Sequence, residues 1–326
     1  MKSKVLRLLC GLVLLYWVPW HSAQAQTWPN KEKLFRVVCP FPVGQGADII
    51  TRYFADKLAT VSGQTAIVEN RVGQMGAIAA NAVARSKPDG YTIFISPASG
   101  THAMNASLFK ELPYDPIKDF TPVTTLAKTF FVLAVDPGSP YNSVRDLTEA
   151  LKKKGDKAAY AYISPTANVA SALYKQRTGI QALGVPFTAN VQTLSEMRSG
   201  QIDFQFLDGT SALGLIAAGR LRALAVTTPQ RSALMPDTPT MTEAGVSEYD
   251  VSPWWAVFLP ANAPQPVVDK LEGWFNQIVA MEDTKTFLAK LSADTFPGNA
   301  AFLSEFLRKE IKRWGELIKL ANIEPQ

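Results

Sequence analysis

LFRVVCPFPVGQGADIITRYFADKL, residues 34–58, sets the reading of the whole chain. Leu34 to Cys39 is apolar and β-branched apart from Arg36, the pattern of a buried strand. Pro40 to Gly46 is a Pro/Gly-rich turn. Asp48 then opens a helical stretch that places Ile49, Ile50, Tyr53, Phe54 and Leu58 on one face. Strand, glycine turn and amphipathic helix in immediate succession make the repeating unit of an α/β fold, in which mostly parallel strands are joined by helical crossovers.

The same alternation continues outward. Strands are expected at 66–69, 91–96, 130–135, 160–163, 204–207 and 222–227. Helices are expected at 73–84, at 144–154 with Ser143 as cap, after the Ser164-Pro165-Thr166 turn, and at 193–199. Residues 266–320 read as amphipathic helices. The chain shows no internal repeat.

On the N-terminal side, Lys2, Lys4 and Arg7 precede an apolar run from Leu8 to Val18, and Ala23-Gln24-Ala25 follows. That is the pattern of a secretory signal peptide cleaved after Ala25, and the run is too short to span a bilayer. Its loss lowers the formal net charge from +5 to about +2 and removes Cys10 and His21. One cysteine, Cys39, and one histidine, His102, remain. An intramolecular disulfide and a Cys/His zinc cluster are then excluded by count. The basic residues are interspersed with acids, which gives no nucleic-acid footprint. No cofactor motif stands out: Gly44-Gln45-Gly46 lacks the third glycine of a dinucleotide fingerprint, and no Lys-Ser/Thr makes it a P-loop.

Candidate chemistry sits where strands run into helices, because ligands of α/β sheets bind beyond the carboxyl ends of strands. Helix N-termini there present N–H groups and partial positive charge to anions. Residues 40–48 and 96–102 are two such turns. A third, YISPTAN at 162–168, offers Ser164, Thr166 and Asn168 as donors, although helix capping explains them equally well. Asp208, ending a strand in FLDGTS, is either a ligand acceptor or a cap. His102 is read as capping a helix or bonding a backbone carbonyl. Trp254-Trp255 is read as core or inter-lobe filling.

Several blocks together resemble the Bug, or TctC-like, family of periplasmic substrate-binding proteins of tripartite tricarboxylate transporters. They are the opening stretch, IVENRVGQMGAIAANAVARSKPDGYTIFIS (67–96), SGTHAMNASLFKELPYDPIKDFTPVTTLA (99–127), LRALAVTTPQRSALMPDTPTMTEAG (221–245) and WWAVFLPANAP (254–264). VENR (68–71), PDGYT (88–92) and LPYDPIKDFTPV (112–123) are the specific parts. The resemblance implies a type II periplasmic-binding-protein fold. Lobe 1 is expected from residues 26–125 and 229–326 and lobe 2 from 126–228, with two crossover segments closing the lobes on a ligand. It implies a monomeric protein with no cofactor that hands a small carboxylate (a di- or tricarboxylate, an amino acid or an aromatic acid) to transporter membrane subunits. A sensor presenting its ligand to a membrane receptor is the alternative. An enzyme using Asp48 with Asp208, or His102, is a more distant one. The binding residues it implies are Phe41, Gly44, Gly46, Ala47 and Asp48, with Ser99, Gly100 and Thr101. The 162–168 turn departs from the family's glycine-rich, histidine-ended pattern. Pro165 removes a backbone donor and Tyr162 adds a ring there, so the pattern points to a different or larger ligand.

Overall fold

The computed structural model describes residues 28–44, 46–187 and 190–325. The segment read as a signal peptide lies outside them, as does Gln45. Residues 31–326 belong to one compact unit.

The opening stretch forms β1 (Phe35–Cys39), a turn, and α1 (Gly46–Ser62). Ile50, Phe54 and Leu58 are buried as expected, joined by Asp48, Thr51 and Ala55. Ile49 lies on the solvent side at 39% exposure, so the buried face is centred one position further round the helix. Next come β2 (Ala66–Asn70), α2 (Ala77–Ala84), β3 (Thr92–Ser96), a π-helical turn (Ser99–Met104), the short α3 (Asn105–Leu108) and β4 (Phe120–Thr129). The middle of the chain supplies β5 (Phe131–Val135), α4 (Val144–Lys154), β6 (Ala159–Tyr162), α5 (Pro165–Thr178), β7 (Leu183–Pro186), α6 (Asn190–Arg198), β8 (Phe204–Asp208), α7 (Gly209–Ala217) and β9 (Arg222–Val226). The chain ends with β10 (Trp254–Pro260), α8 (Gln265–Ala280), α9 (Glu282–Lys290), β11 (Ala293–Thr295) and α10 (Ala300–Leu320). Ser143 caps α4 as read, its hydroxyl accepting from the Asp146 N–H at 3.1 Å.

Two helix-flanked sheets result, in strand order β11-β4-β10-β3-β1-β2 and β7-β6-β8-β5-β9. Most strands of each sheet run one way, with β10 and β11 reversed in the first and β5 in the second. β1, β2 and β3 run parallel, but β10 enters antiparallel between β3 and β4. β6, β7 and β8 run parallel, while β5 pairs antiparallel with β8 and β9. β5 and β10 each begin at a crossing between the sheets.

That connectivity fixes how the sheets face each other. Trp254 opens β10 opposite Lys128, and Ala256 pairs with Ser96 at the end of β3. β4 therefore leaves the first sheet at the edge where the parallel strands β1, β2 and β3 end. One residue later, Phe131 enters the second sheet opposite Asp208, at the edge where β6, β7 and β8 end. β9 leaves that same edge and returns through 227–253 to the start of β10. Both crossings join carboxyl edge to carboxyl edge, so those edges confront one another.

Hydrogen bonds bind the two crossings together. The Thr129 N–H donates to Pro253 O at 2.8 Å, and the Thr227 N–H to Phe131 O at 2.9 Å. The buried Thr227 hydroxyl accepts from the Phe131 N–H at 2.9 Å and donates to Val251 O at 2.8 Å.

α10 spans both lobes. Leu303 and Leu307 pack with Phe94, Trp254 and Phe258 of the first sheet, while Trp314, Leu317 and Ile318 join Tyr174, Phe204 and Phe206 of the second. Between these groups, Glu310 is buried. It accepts from the indole N–H groups of Trp254 (2.9 Å) and Trp314 (3.0 Å) and from Arg313, whose Nε is 2.7 Å away. Arg313 also donates to Asp250 O in the second crossing. Burial disfavours the Arg313 charge, but the bonds and charge of Glu310 more than offset it, so the guanidinium pKa is held above its usual value.

Candidate functional site

Asp48 organises the first turn. It lies within the first turn of α1, its side chain is 2% exposed, and its carboxylate is fully engaged. It accepts from the Gly44 N–H at 2.9 Å, from Arg52 Nε at 2.9 Å and from the Asn70 amide at 2.8 Å. The Asn70 amide also donates to Phe41 O at 2.8 Å, tying the start of the turn to its end. Burial by itself raises the Asp48 pKa. The Arg52 hydrogen bond, the Gly44 amide and Asn70 reverse this and hold the carboxyl below the usual range. Asp48 is thus a neutralised brace, with no proton to exchange near neutral pH.

The brace leaves the helix end available. Gly46 is exposed and Ala47 half-buried, and the first N–H groups of a helix have no acceptor within it. Gly44 has φ +84°, a conformation that favours glycine. A Cβ at Gly44 or Gly46 would meet no atom within 4 Å, so the space beside the turn is open.

Gly76 joins this turn to the 96–102 turn. Its φ is +86°, and a Cβ there would lie 2.5 Å from Thr101 Cγ2 and 3.0 Å from Pro40 Cβ. The second turn is more self-contained than the sequence suggested. The Gly100 and Thr101 N–H groups donate to Pro97 O at 3.0 and 3.2 Å. The Thr101 hydroxyl bonds Ser96 Oγ at 2.7 Å, and Ser99 Oγ accepts from the Trp254 N–H at 3.3 Å. His102 caps no helix and bonds no carbonyl. It is fully buried, shares a 3.0 Å bond between Nδ1 and the Thr101 hydroxyl, and stacks on Phe258 at 3.9 Å between ring centroids. Burial pushes its pKa down to about 3, which keeps it neutral. Trp254 is buried in the core as read.

Across the cleft, Ser164 caps α5, accepting from the Ala167 N–H at 3.2 Å. Asn168 donates its backbone N–H to Ser164 O at 3.1 Å, and its Oδ1 accepts from the Tyr160 hydroxyl at 2.8 Å. Thr166 is half-buried beside them. This turn borders a cavity of about 390 Å³ that also meets Phe187 after β7 and Ile323 beyond α10. Asp208 caps α7, accepting from the Ser211 N–H at 3.0 Å. It makes no bond to the other candidates. Gly209 beside it is packed so close to Phe130 and Ser292 that a Cβ would lie 2.8 Å from each.

The structure therefore gathers Phe41, Gly44, Gly46, Ala47 and Asp48 into one braced turn and sets Ser99, Gly100 and Thr101 against it through Gly76. Ser164, Thr166 and Asn168 form a separate turn on the second sheet, and Asp208 stands apart. Arg52, Asn70, Gly76 and Phe187 were not singled out from the sequence. Asn70 was within reach, since it is the third residue of the VENR motif.

Among the described residues no group of three or more His, Cys, Asp and Glu is placed to hold a metal ion, and no helix is long and apolar enough to cross a membrane. Residues 50–323 match the family described as the tripartite tricarboxylate transporter family receptor, TctC. The chain belongs to this family. A relative from Pseudomonas sp. (strain P51), the UPF0065 protein in the tcbD-tcbE intergenic region, is 32% identical over 284 residues, 86% of this chain and 84% of the relative. Among solved structures, R. palustris Rpa4515 with adipate is 30% identical with a TM-score of 0.75, over 92% of this chain and 100% of that one. MatC (Rpa3494) from Rhodopseudomonas palustris, with bound malate, is 27% identical with a TM-score of 0.68, over 88% and 99%.

Proposed function

We propose that this chain is an exported, periplasmic solute-binding protein that captures a small organic carboxylate between its two lobes and delivers it to the membrane subunits of a tripartite tricarboxylate-type transporter. The observation that carries the reading is the confrontation of the two carboxyl edges, with an open helix N-terminus at Gly46 and Ala47 on one side. In this reading the lobes, expected as 26–125 with 229–326 and 126–228, close as a monomer about the paired crossings at Phe130 and 227–253, with the first boundary moved to the end of β4 at Thr129. The carboxylate rests on the first-turn amides of α1, where partial positive charge favours it, beside the Ser99-Gly100-Thr101 turn. Asp48 adds no repulsion because Arg52 offsets its charge. The adipate and malate bound by the two structural relatives support carboxylates as the ligand class.

The reading requires no catalysis. His102 is neutral and enclosed, Asp48 is neutralised, and Asp208 is occupied as a cap. The test is a thermal-shift screen of metabolite carboxylates beside their neutral amides, with proton NMR of the mixtures. At least one acid raises the melting temperature in proportion to its saturation, its amide does not, and neither is consumed. Equal stabilisation by the amides, or turnover of the acid, would contradict the proposal.

A further inference from the structure

The far wall of the cleft differs in chemistry from the α1 side. Among the described residues lining the cavity beside α5, none is charged, and Tyr162, Ile163, Phe187 and Ile323 are among them. The N-terminus of α5 has also lost most of its capacity for anions. Pro165 occupies the start of the helix and has no N–H. The Ala167 N–H is taken by the Ser164 hydroxyl and the Asn168 N–H by Ser164 O. A carboxylate buried against this wall would lose its hydration without gaining a cation.

This wall belongs to the cleft. β6, β7 and β8 are parallel, so Tyr162, Pro186 and Asp208 end at one edge, the edge that the crossings turn toward the first sheet. Met75, from the turn that touches Thr101 and Pro40, packs on the same core cluster as Tyr162 and Ile323.

We infer that Tyr162, Pro165, Asn168 and Phe187 receive an uncharged, apolar end of the ligand, so that the bound acid is a monocarboxylate with an aromatic or cyclic aliphatic body rather than a di- or tricarboxylate. The inference rests on the proposed function: one carboxylate is held at α1, and the apolar wall selects what is attached to it. The cavity has room for a single ring, and apolar surface buried there favours binding.

Isothermal titration of the full mature chain tests this, with benzoate, phenylacetate and cyclohexanecarboxylate against adipate, malate and citrate. At least one ring monocarboxylate binds tenfold or more tightly than every di- and tricarboxylate. Equal or tighter binding of adipate, malate or citrate overturns the inference and leaves the proposed function standing. No binding by any of the six overturns the inference together with the carboxylate reading beneath it. Pro165→Ala gives an independent arm, because Pro165 is exposed and the substitution restores one N–H at the helix start. With folding verified by circular dichroism, adipate affinity rises several-fold in this variant relative to that of the best ring acid. Unchanged adipate affinity counts against the inference.

Discussion

His102 shows at the scale of one residue how burial decides a role. The ring is enclosed by Phe94, Phe120 and Phe258 and is held neutral by desolvation, with a folded-state pKa of about 3 against an ordinary 6.5. Only the unfolded chain takes up a proton between these values. Its contribution to stability is therefore complete above pH 6.5 and is lost progressively as pH falls from 6.5 toward 3, at up to about 1.4 kcal/mol per pH unit. His102→Phe keeps an aromatic ring in the stack and removes the titration. In urea denaturation between pH 6.5 and 5 the wild type loses roughly 1–2 kcal/mol more than the variant. Parallel stability curves would show that the buried imidazole is not what titrates. The Cys39 thiol follows the same logic: burial pushes its pKa up, which disfavours the reactive thiolate.

Among the elements, the turns carry most of the functional detail. Gly76 is the pivot between the 40–48 and 96–102 turns, and Gly76→Ala combines an unfavourable φ with a methyl group 2.5 Å from Thr101 Cγ2. The variant loses about 1–3 kcal/mol of stability and binds its carboxylate at least tenfold more weakly, read by thermal melting and titration calorimetry. Undiminished affinity would separate the two turns functionally. The opening stretch made β1, its turn and α1 legible because periodicity changes sharply at Pro40 and Asp48. β4, with its threonines, and the almost wholly apolar β10 lack clear alternation, because both are buried and covered on either side by neighbouring strands. The candidate site was legible as turns but not as bonding. That Asp48 is a brace depends on Asn70, 22 residues away, and that Ser99 serves β10 depends on Trp254, 155 residues away. Such pairings exist only once the sheet is assembled.

At the scale of the molecule, two crossings and one helix connect the lobes. Thr227 locks the crossings side by side, while Glu310 and Arg313 join Trp254, Trp314 and the second crossing beneath α10. The carboxyl edges are thus kept facing each other by bonds made away from the ligand turns, leaving those turns free to be shaped by what they bind. The central claim is that a carboxylate sits between both edges at once. Hydrogen–deuterium exchange with and without the tightest-binding acid of the calorimetry panel tests it most directly. The account predicts that the acid slows exchange together in peptides covering 40–49 and 97–104 of the first lobe and 162–168 and 186–190 of the second. Protection confined to one lobe, or absent from the 40–49 peptide, would contradict it.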